Sequence, residues 1–526
     1  MDESEHGEEV LNELVTAGYV KAFDRIEQAK TYLGGAEPVT NKVALISVQK
    51  EDTWKHRLIL DCKVSGTNSA TTKHERIVLP RIWDVVRDSL ALRSKAKPGE
   101  SLKYLVCDFK DAFYKMPLKK EEQRYFTVVF KGRVYVWLRL GQGSLNGPTV
   151  YGRLAAMVGR MTQSLFDPTE AVLQIYIDDP IMAMMCTAPR AITITCCCTL
   201  LWMVLGFDLA FHKGQFGDTV CWIGYDISNT ATEISIQIKA EFMLNLKMKT
   251  NEFQKTNLIS TKELRAYTGR ANHVANLLFA WKPFLDTLWA ATAGSACSLK
   301  NRRTSRARTG MTWTKQVRSS LDWLAIFLEA EPGALRRSWE LDHFRAPASS
   351  LTMVLDASPF GFGGALYEEG RPIALFHDII DDHDQRIHHH KRGDHKGQQV
   401  WECLVVLIAL RVWKDRWVKR RPSITIRSDN MSALALAGRL KTSSASRSIG
   451  KEIAMVYTSA AFEPKVVEHI PGITNTVADA LSRIGDGSGA FEVPDELAHL
   501  VNKTPVPVRD ESFYTTLAAK QVGRKG

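Results

Sequence analysis

The pattern of apolar and polar positions divides the chain into mixed and helical stretches. Residues 1–40 are polar and helix-prone, and the first clear strand is VALISV at 43–48. From there to about residue 230, short apolar runs alternate with longer amphipathic stretches, which is typical of a mixed α and β region. Around 258–290 the pattern becomes helical. Ser260 and Glu263, three apart ahead of an apolar periodic run, predict a capping box at the start of a helix.

A second mixed region opens at LTMVLDAS (351–358) and ends near Arg483. The basic, Ser/Thr-rich segment at 298–310 has the composition of a linker between the two regions. A loop rich in charge and histidine is expected at 377–397. There His388, His389 and His390 are interpreted as solvated rather than as a metal tract. The residues after 485 have the composition of a poorly ordered terminus.

Composition narrows the class of protein. With 526 residues, 45% of them hydrophobic, the chain can bury more than one core, which excludes a mainly disordered protein and a single small binding module. A net charge of +11 favours a polyanionic partner. Nine cysteines without a CxxC pair fit neither a zinc site nor a disulfide framework, so a reduced intracellular location, cytoplasmic or nuclear, is expected.

Two segments bear on targeting. The acidic start MDESEHGEEV is unlike a signal peptide. The longest uncharged run, AITITCCCTLLWMVLGF at 191–207, falls short of the ~20 apolar residues that a membrane span needs. We predict a buried helix there and expect no membrane association.

Three aspartates form the first chemical constellation. Asp108 ends an apolar strand-like run, with Asp111 three and Phe113 five residues later, and QIYIDDPIM sets Asp178 and Asp179 at the tip of a predicted hairpin. Each motif alone is more often a solvated loop. Together the carboxylates repel unless divalent cations neutralise them. This predicts a site for two Mg²⁺ ions about 3.5 to 4 Å apart, with Mn²⁺ as an alternative, that could activate a 3′-hydroxyl.

In combination these motifs resemble the reverse transcriptase family of the long-terminal-repeat retrotransposon or retroelement pol type. DFKDAFYKMPL resembles its first palm motif, LGQGSLNGP (140–148) the second and YIDD (176–179) the third. KHRLILDCKVSGTN (55–68) resembles the fingers, CWIGYDIS (221–228) the primer-grip hairpin, and STKELRAYTGRANHVANLL the thumb start. The resemblance covers roughly 40–295 and implies a right-hand RNA-directed DNA polymerase with fingers, palm and thumb.

The resemblance also implies roles for individual residues. Asp108, Asp178 and Asp179 would be catalytic metal ligands, and Phe113 would lie under the incoming sugar and exclude a 2′-hydroxyl. The primer grip would include Trp222 and Gly224. The nucleotide-binding residues would be Lys50, Arg57, Asp111, Phe113, Gln142, Gly143 and Lys213. Departures from the family pattern are Pro180 after the aspartate pair, and Cys62, Lys63 and Gly66 in the fingers segment.

Four carboxylates form the second constellation. Asp356, Glu402, Asp429 and Asp479 follow one another on a strand, a helix, a strand end and a helix start, in an order that resembles the ribonuclease H family over about 350–484. Glu402 alone would be taken for a partly exposed helix residue. The resemblance implies two Mg²⁺ ions held by these four catalytic carboxylates, an RNA strand cut within RNA/DNA hybrids, a mixed five-stranded sheet, and a product-release role for His469.

The expected architecture is an α+β and α/β multidomain protein with an RNA template, a DNA primer, RNA/DNA hybrid and dNTPs as partners. The predicted domains are an N-terminal extension (1–40), fingers and palm (41–232), thumb (233–295), basic linker and connection (296–348), ribonuclease H-like domain (349–485) and C-terminal tail (486–526). The alternative is a decayed or domesticated retroelement protein that binds nucleic acid without catalysis. A telomerase-like enzyme is disfavoured by the second constellation. Without protease, zinc-knuckle or integrase signatures, the chain is either the polymerase-nuclease portion of an element or a fragment of a longer polyprotein.

Overall fold

The computed structural model describes residues 5–50, 53–72, 75–297, 310–329, 335–341, 349–418, 422–460, 466–487, 493 and 495–514. The chain divides into two units, Met1–Ile234 and Ser235–Gly526. The basic positions of the predicted linker, 300–308, lie outside the described residues.

The first unit mixes short strands with six α-helices in its described part. Its helices are α1 (Glu5–Thr16), α2 (Ile26–Tyr32), α3 (Thr67–Ala70), α4 (Ile82–Ser94), α5 (Gly147–Gln163) and α6 (Ala188–Val204), with 3₁₀ turns at Ala112–Lys115, Gln123–Tyr125 and Phe211–Lys213. Its strands are β1 (Val20–Phe23), β2 (Thr40–Lys50), β3 (Thr53–Asp61), β4 (Ser101–Val106), β5 (Phe109–Lys110), β6 (Thr127–Phe130), β7 (Arg133–Trp137), β8 (Ala171–Tyr176), β9 (Asp179–Cys186), β10 (Asp208–Leu209), β11 (Gln215–Gly217), β12 (Thr219–Trp222) and β13 (Tyr225–Asn229).

A five-stranded sheet with the order β1-β7-β6-β2-β3 includes residues from the predicted N-terminal extension. Val20 pairs with Trp137 in the antiparallel β1–β7 ladder, and Leu11 and Leu14 of α1 are buried in the same core. The extension therefore contributes to this sheet. The sequence pattern missed β1 because four residues are too few to show an alternation.

A four-stranded sheet with the order β11-β4-β9-β8 carries the first aspartate constellation. The predicted hairpin is confirmed: Tyr176 of β8 pairs with Asp179 of β9, and Ile177 adopts a φ of 56°, which is costly for a β-branched residue. Pro180 lies in the central strand β9, where its carbonyl accepts a hydrogen bond from the Cys107 amide at 3.2 Å.

Helix α6 corrects the prediction of a wholly buried helix at 191–207. Its inner face is buried in the core beside the four-stranded sheet, but Ile192, Leu200 and Val204 are more than half exposed. The uncharged sequence favoured burial on every side, since it carries no polar stripe to mark the solvent face.

The second unit begins with a helical part and continues into another sheet. The helical part contains β14 (Glu233–Ile238, which starts just before the boundary), α7 (Ala240–Lys255), β15 (Leu258–Ser260), α8 (Thr261–Leu277), a 3₁₀ turn (Phe279–Trp281), α9 (Lys282–Cys297), β16 (Met311–Trp313), α10 (Thr314–Leu328) and β17 (Arg336–Glu340). Helix α8 begins where predicted, but the capping box is absent: Ser260 makes no capping hydrogen bond, and Glu263 pairs with Lys249. Helix α10, from the predicted connection, packs on α7 and α9, with Trp323 against Phe284.

The sheet of the second unit is mixed and five-stranded, which confirms the predicted class. Its order is β20-β19-β18-β21-β22, with β18, β21 and β22 parallel and β19 and β20 antiparallel to their neighbours. The elements are β18 (Ser350–Ala357), β19 (Gly361–Glu368), β20 (Arg371–Ile379), α11 (Asp382–His388), α12 (Gln398–Val412), α13 (Lys414–Trp417), β21 (Ser423–Ser428), α14 (Met431–Arg439), α15 (Arg447–Ala460), β22 (Val466–His469), α16 (Thr476–Arg483) and α17 (Asp495–Ala498), with 3₁₀ turns at His395–Gly397, Gly472–Thr474, Ile484–Asp486 and Glu511–Phe513. Helix α12 is buried along almost its whole length.

The C-terminal residues 495–514 are packed onto this sheet domain, which corrects the expectation of a poorly ordered terminus there. Arg509 is buried and donates to both carboxylate oxygens of Asp384, at 2.8 to 3.0 Å, and Tyr514 is fully buried. The expected solvated histidine loop is also wrong for His388, which is buried within hydrogen-bond distance of the Tyr514 hydroxyl at 2.8 Å. Composition alone missed this because the partners are more than 120 residues apart.

Candidate functional sites

The ends of β4 and of the β8–β9 hairpin bring the first three aspartates to one edge of the four-stranded sheet. The Phe109 amide donates to the Asp178 carbonyl at 2.9 Å, so the residues after β4 run alongside the hairpin tip. Asp178 and Asp179 occupy the turn and the first position of β9. Their side chains are half-buried together with that of Asp108.

Electrostatics at this edge favour protonation or cation binding. Burial, together with the neighbouring carboxylates of Asp178 and Asp108, raises the pKa of Asp179 to about 7. The pKa of Asp178 is also raised, mainly by burial. Carboxyl groups whose pKa is raised in this way are typical of sites that bind cations or transfer protons.

Lys213 supplies the compensating charge. From the 3₁₀ turn after β10, its Nζ lies 2.6 Å from Oδ2 of Asp108. The predicted nucleotide ligand therefore lies within the aspartate constellation and pairs with one of its members. Arg57 on β3, in the predicted fingers segment, is exposed, and its charge offsets part of the rise in the pKa of Asp178.

Phe113 stands in the 3₁₀ turn that follows Asp111. Asp111 is exposed with a φ of 53°, and the half-buried Phe113 ring lies 5.5 Å from the ring of Tyr151 on α5. The Tyr151 side chain is fully buried, and its hydroxyl has no hydrogen-bond partner among the described residues. Burial raises its pKa, and Asp178 and Asp108 add to the shift. Sequence reasoning missed Tyr151, since nothing in the pattern separates it from a core aromatic residue.

The glycine-rich turn at 141–143 packs against the end of β3. The Gln142 carbonyl accepts from the Leu60 amide at 2.8 Å, and a Cβ on Gly143, whose φ is 115°, would lie 2.0 Å from the Leu60 carbonyl oxygen. Glycine at 143 is thus required by the fold itself. The side chain of Lys50 lies outside the described residues.

The predicted primer-grip hairpin is tied to the aspartate pair. Trp222 on β12 is buried, and its indole Nε1 donates to the Asp179 carbonyl at 2.9 Å. Gly224 follows in the turn with a φ of 86°. The hairpin β12–β13 is therefore hydrogen-bonded directly to the first residue of β9.

The second constellation gathers three of its four carboxylates. Asp356 near the end of β18, Glu402 on α12 and Asp429 after β21 place one oxygen each within 4.8 Å of one another. The parallel strands β18 and β21 bring their carboxyl ends to the same edge, and the first turns of α12 deliver Glu402 to it.

Asp479 and His469 stand around this group. Asp479 on α16 is ion-paired with Arg483, Oδ1 to Nη2 at 2.7 Å, and is not within the compact group of three. His469 is exposed at the end of β22, with Nε2 3.0 Å from the Asp429 carbonyl.

Three neighbours that sequence reasoning missed hold the buried carboxylates. Ser482 donates to Asp356 at 2.8 Å, Asn475 to the same carboxylate at 3.3 Å, and Gln398 to Glu402 Oε1 at 2.9 Å. Their spacing held a weak signal: Gln398 lies one helical turn before Glu402, and Ser482 nearly one turn after Asp479.

Burial dominates the titration of this group. Burial, together with the adjacent carboxylates, raises the pKa of Asp356 to about 7 and that of Glu402 to about 8. Glu402 Oε2 is buried without a hydrogen-bond partner among the described residues. An orphaned carboxylate oxygen facing two further carboxylates fits a hard divalent cation such as Mg²⁺.

Comparison with known proteins places the first region in a family. Residues 48–227 match the family model described as reverse transcriptase (RNA-dependent DNA polymerase). Similar proteins include the Gag-Pol polyprotein of avian reticuloendotheliosis virus, 27% identical over 210 residues, covering 37% of this chain and 17% of the polyprotein. The Gag-Pro-Pol polyprotein of human T-cell leukemia virus 2 is 35% identical over 83 residues, covering 14% of this chain and 6% of the polyprotein. Residues 48–227 therefore match the reverse transcriptase family, as their motifs predicted, and the similarity to retroviral polyproteins supports the predicted retroelement pol type.

Solved structures of similar proteins include those of a foamy viral protease-reverse transcriptase. The protease-reverse transcriptase in complex with RNA/DNA hybrid has a TM-score of 0.43 at 17% identity, covering 89% of this chain and 54% of that chain. Its dRH form in complex with double-stranded DNA has a TM-score of 0.44 at 17% identity, covering 88% of this chain and 69% of that chain. The chain spans 17% or less of the length of the two viral polyproteins above.

Among the described helices, none combines the length and apolarity needed to cross a membrane.

Proposed function

We propose that the chain is an RNA-directed DNA polymerase that copies RNA and DNA templates and degrades the RNA strand of RNA/DNA hybrids. The observation that carries the proposal is the meeting of Asp108, Asp178 and Asp179 at one sheet edge within the segment that matches the reverse transcriptase family. The cluster formed by Asp356, Glu402 and Asp429 in the second unit supports the proposed nuclease activity.

For the polymerase site, we propose that Asp108, Asp178 and Asp179 hold Mg²⁺, with Mn²⁺ as a substitute. When bound, the two metal ions would activate the primer 3′-hydroxyl and stabilise the leaving pyrophosphate. Lys213 neutralises Asp108 before nucleotide binding and then contacts the triphosphate together with Arg57 and Lys50. This exchange is supported by the 2.6 Å ion pair, which a triphosphate can replace with its own negative charge.

The remaining polymerase residues position substrate. Phe113 lies against the deoxyribose, backed by Tyr151, while Asp111, Gln142 and Gly143 complete the nucleotide pocket. Trp222 and Gly224 hold the primer end. The Trp222–Asp179 hydrogen bond supports this role, because it couples the hairpin to a catalytic strand.

For the nuclease site, Asp356, Glu402, Asp429 and Asp479 would hold two Mg²⁺ ions. When bound, these ions would activate the attacking water and stabilise the leaving 3′-oxygen. Ser482, Asn475 and Gln398 orient the carboxylates, Asp479 joins the site when it leaves Arg483, and His469 assists product release. The 2′-hydroxyl and the shape of the hybrid distinguish the RNA strand.

The proposed partners are an RNA template, a DNA primer, RNA/DNA hybrid and dNTPs, which the +11 charge favours. We propose an intracellular, cytoplasmic or nuclear, site of action. The eight cysteines whose side chains are described are all free, which suits a reducing compartment.

The test is primer extension on poly(rA) with oligo(dT), run beside cleavage of the RNA strand of a hybrid. Asp178→Asn should abolish extension and leave cleavage nearly intact, because the two carboxylate groups lie in separate units. Near-normal extension by Asp178→Asn would refute the polymerase site. Hybrid binding without either activity in the wild-type protein would favour the decayed, binding-only alternative.

A further inference from the structure

The outward face of helix α6 is mostly apolar, and the exposed Thr193, whose hydroxyl donates to the Pro189 carbonyl, is a polar residue within it. Ile192 and Leu200 are each 60% exposed, Met203 is 51% and Val204 is 82% exposed, and Cys196 between them is exposed as well. At about 100° per residue these five positions fall within one arc of roughly 120°. We call these five residues the α6 stripe.

The α6 stripe is not a side effect of a poorly packed helix. The opposite face, formed by Ala191, Ile194, Cys198 and Trp202, is fully buried in the core of the four-stranded sheet. The Trp202 indole donates to the Thr162 hydroxyl of α5 at 2.9 Å. Helix α6 is therefore firmly held by its inner face while its outer face offers apolar side chains to solvent.

The size and the lack of charge of the stripe are compatible with an interaction surface. Five side chains exposed to this extent present on the order of 500 Å² of apolar surface, toward the upper end of the roughly 300 to 600 Å² of the largest patch on a typical monomer, and such patches are often functional. The sequence contains no charged residue from Ala191 to Phe207. Nothing along the stripe offers a charge that would favour water or an ionic ligand.

We propose that a second copy of this chain covers the α6 stripe, in a two-fold symmetric dimer whose two α6 helices pack against each other. Two copies of a chain with a net charge of +11 repel over most orientations, and the uncharged stripe lets them approach without opposing like charges. Such a face is complementary to itself, as a two-fold interface requires. Two stripes together bury about 1,000 Å², the lower bound for a specific interface.

A membrane surface suits the stripe less well. Helices that lie in the lipid interface carry lysine and arginine on their polar face. In α6 the face opposite the stripe is buried protein core, and the one charged residue, Arg190, is paired with Glu170 at 2.7 Å.

Sedimentation velocity of the full chain, over concentrations from roughly micromolar to roughly 0.1 mM, tests the proposal. The wild-type protein should dimerise with concentration, and Leu200→Glu/Val204→Glu should weaken association at least tenfold. The matched control is Leu244→Glu/Met248→Glu on α7, whose two side chains are 59% and 64% exposed with the same spacing of four residues. The control should dimerise like the wild type. Retained primer extension would show that the stripe variant is folded.

A crosslinking measurement keeps the test independent of that variant. Cys196 lies in the middle of the stripe, so a short bis-maleimide should join two copies through it, and Cys196→Ser should lose the crosslink. A wild-type protein that remains monomeric throughout, or a dimer unaffected by Leu200→Glu/Val204→Glu, would overturn the proposal. Stripe-dependent binding to phosphatidylcholine vesicles by a monomer would assign the face to lipid and overturn it too.

Discussion

Glu402 shows at the scale of one residue how a site can oppose the stability of its own fold. Glu402 is 4% exposed, one of its carboxylate oxygens has no hydrogen-bond partner in the described part of the chain, and burial beside Asp356 raises its pKa to about 8. Between the unfolded value of 4.5 and about 8, the folded protein holds a proton that the unfolded chain releases. Stability that is fully present below that window is therefore lost as pH rises through it.

Replacing Glu402 with Gln should stop hybrid cleavage and leave primer extension intact. In metal-free buffer the variant should melt at an equal or higher temperature than the wild type, with a difference that grows from about pH 5 to about pH 8, because glutamine has no charge to desolvate. Calorimetry across this pH range and a hybrid cleavage assay in Mg²⁺ check both parts. A variant that still cuts at the wild-type rate would exclude Glu402 as a ligand.

The ring of Phe113 is expected to exclude ribonucleotides from the polymerase site. Trimming Phe113 to Val should raise ribonucleotide incorporation relative to deoxyribonucleotide by one to two powers of ten, about 1.4 to 2.8 kcal/mol of lost discrimination. The physical reason is that the ring, backed by Tyr151 at 5.5 Å, would no longer occupy the space of a 2′-hydroxyl. The measurement is kcat/KM for matched ribo- and deoxyribonucleotides.

The control for Phe113 is Phe109→Val. Phe109 is buried against Trp202 and Phe207, so this variant should lose stability with no change in sugar selectivity. If the two variants behaved alike, with an unchanged ratio of kcat/KM, Phe113 would be a core residue only.

At the scale of elements, sequence reasoning succeeded where periodicity and local chemistry agree. The β8–β9 hairpin, helix α12 and the strand end before Asp429 lie where their patterns predicted them. It failed where a partner distant in sequence decides the outcome. The predicted capping box at Ser260 does not form, and Glu263 pairs with Lys249 instead. His388 is buried beside Tyr514 rather than solvated. The exposed face of α6 is not marked by charged residues in the sequence.

The candidate sites follow the same rule. The carboxylates could be found from motif order, because strand ends and helix starts constrain where such residues meet. The residues that support the carboxylates and Phe113 could not be found in this way. The roles of Ser482 and Tyr151 follow only from their contacts with Asp356 and Phe113 in the fold. Nor could the sequence show that Asp479 pairs with Arg483 while the other three carboxylates converge.

The packed C-terminal segment yields a prediction at this scale. Arg509→Ala would leave Asp384, which is fully buried, without its cation, a change that typically costs about 3 to 5 kcal/mol. The melting temperature of the second unit should fall by roughly 10 °C. Hybrid cleavage should fail at a lower temperature than in the wild type, while primer extension at moderate temperature persists.

Lys503→Ala serves as the control for Arg509, because Lys503 is exposed on the same segment. It should melt within about 1 °C of the wild type, since exposed substitutions rarely change stability by more than about 0.5 kcal/mol. An Arg509→Ala protein as stable as this control would mean that residues 495–514 contribute little to the fold of the sheet domain.

At the scale of the whole molecule, each of the two units contains a cluster of carboxylates. Without a cation, the mutual repulsion and burial of these charges destabilise the folded protein. The pKa values of Asp179 and Asp356 are raised to about 7 and that of Glu402 to about 8. Metal binding requires the ionised forms and competes with protons. Mg²⁺ should therefore stabilise the protein more at pH 8 than at pH 6, in both units.

The expected gain can be estimated from mass action. At a Mg²⁺ concentration about ten times the dissociation constant, each site gains about 1.4 kcal/mol, or roughly 2 to 4 °C for a unit of this size. Calorimetry with and without Mg²⁺ at the two pH values measures it. Asp178→Asn should reduce the gain of the first unit alone, Glu402→Gln that of the second alone, and the double variant both. A gain of the same size at pH 6 and pH 8, or one that survives in the double variant, would show that Mg²⁺ acts elsewhere on the chain.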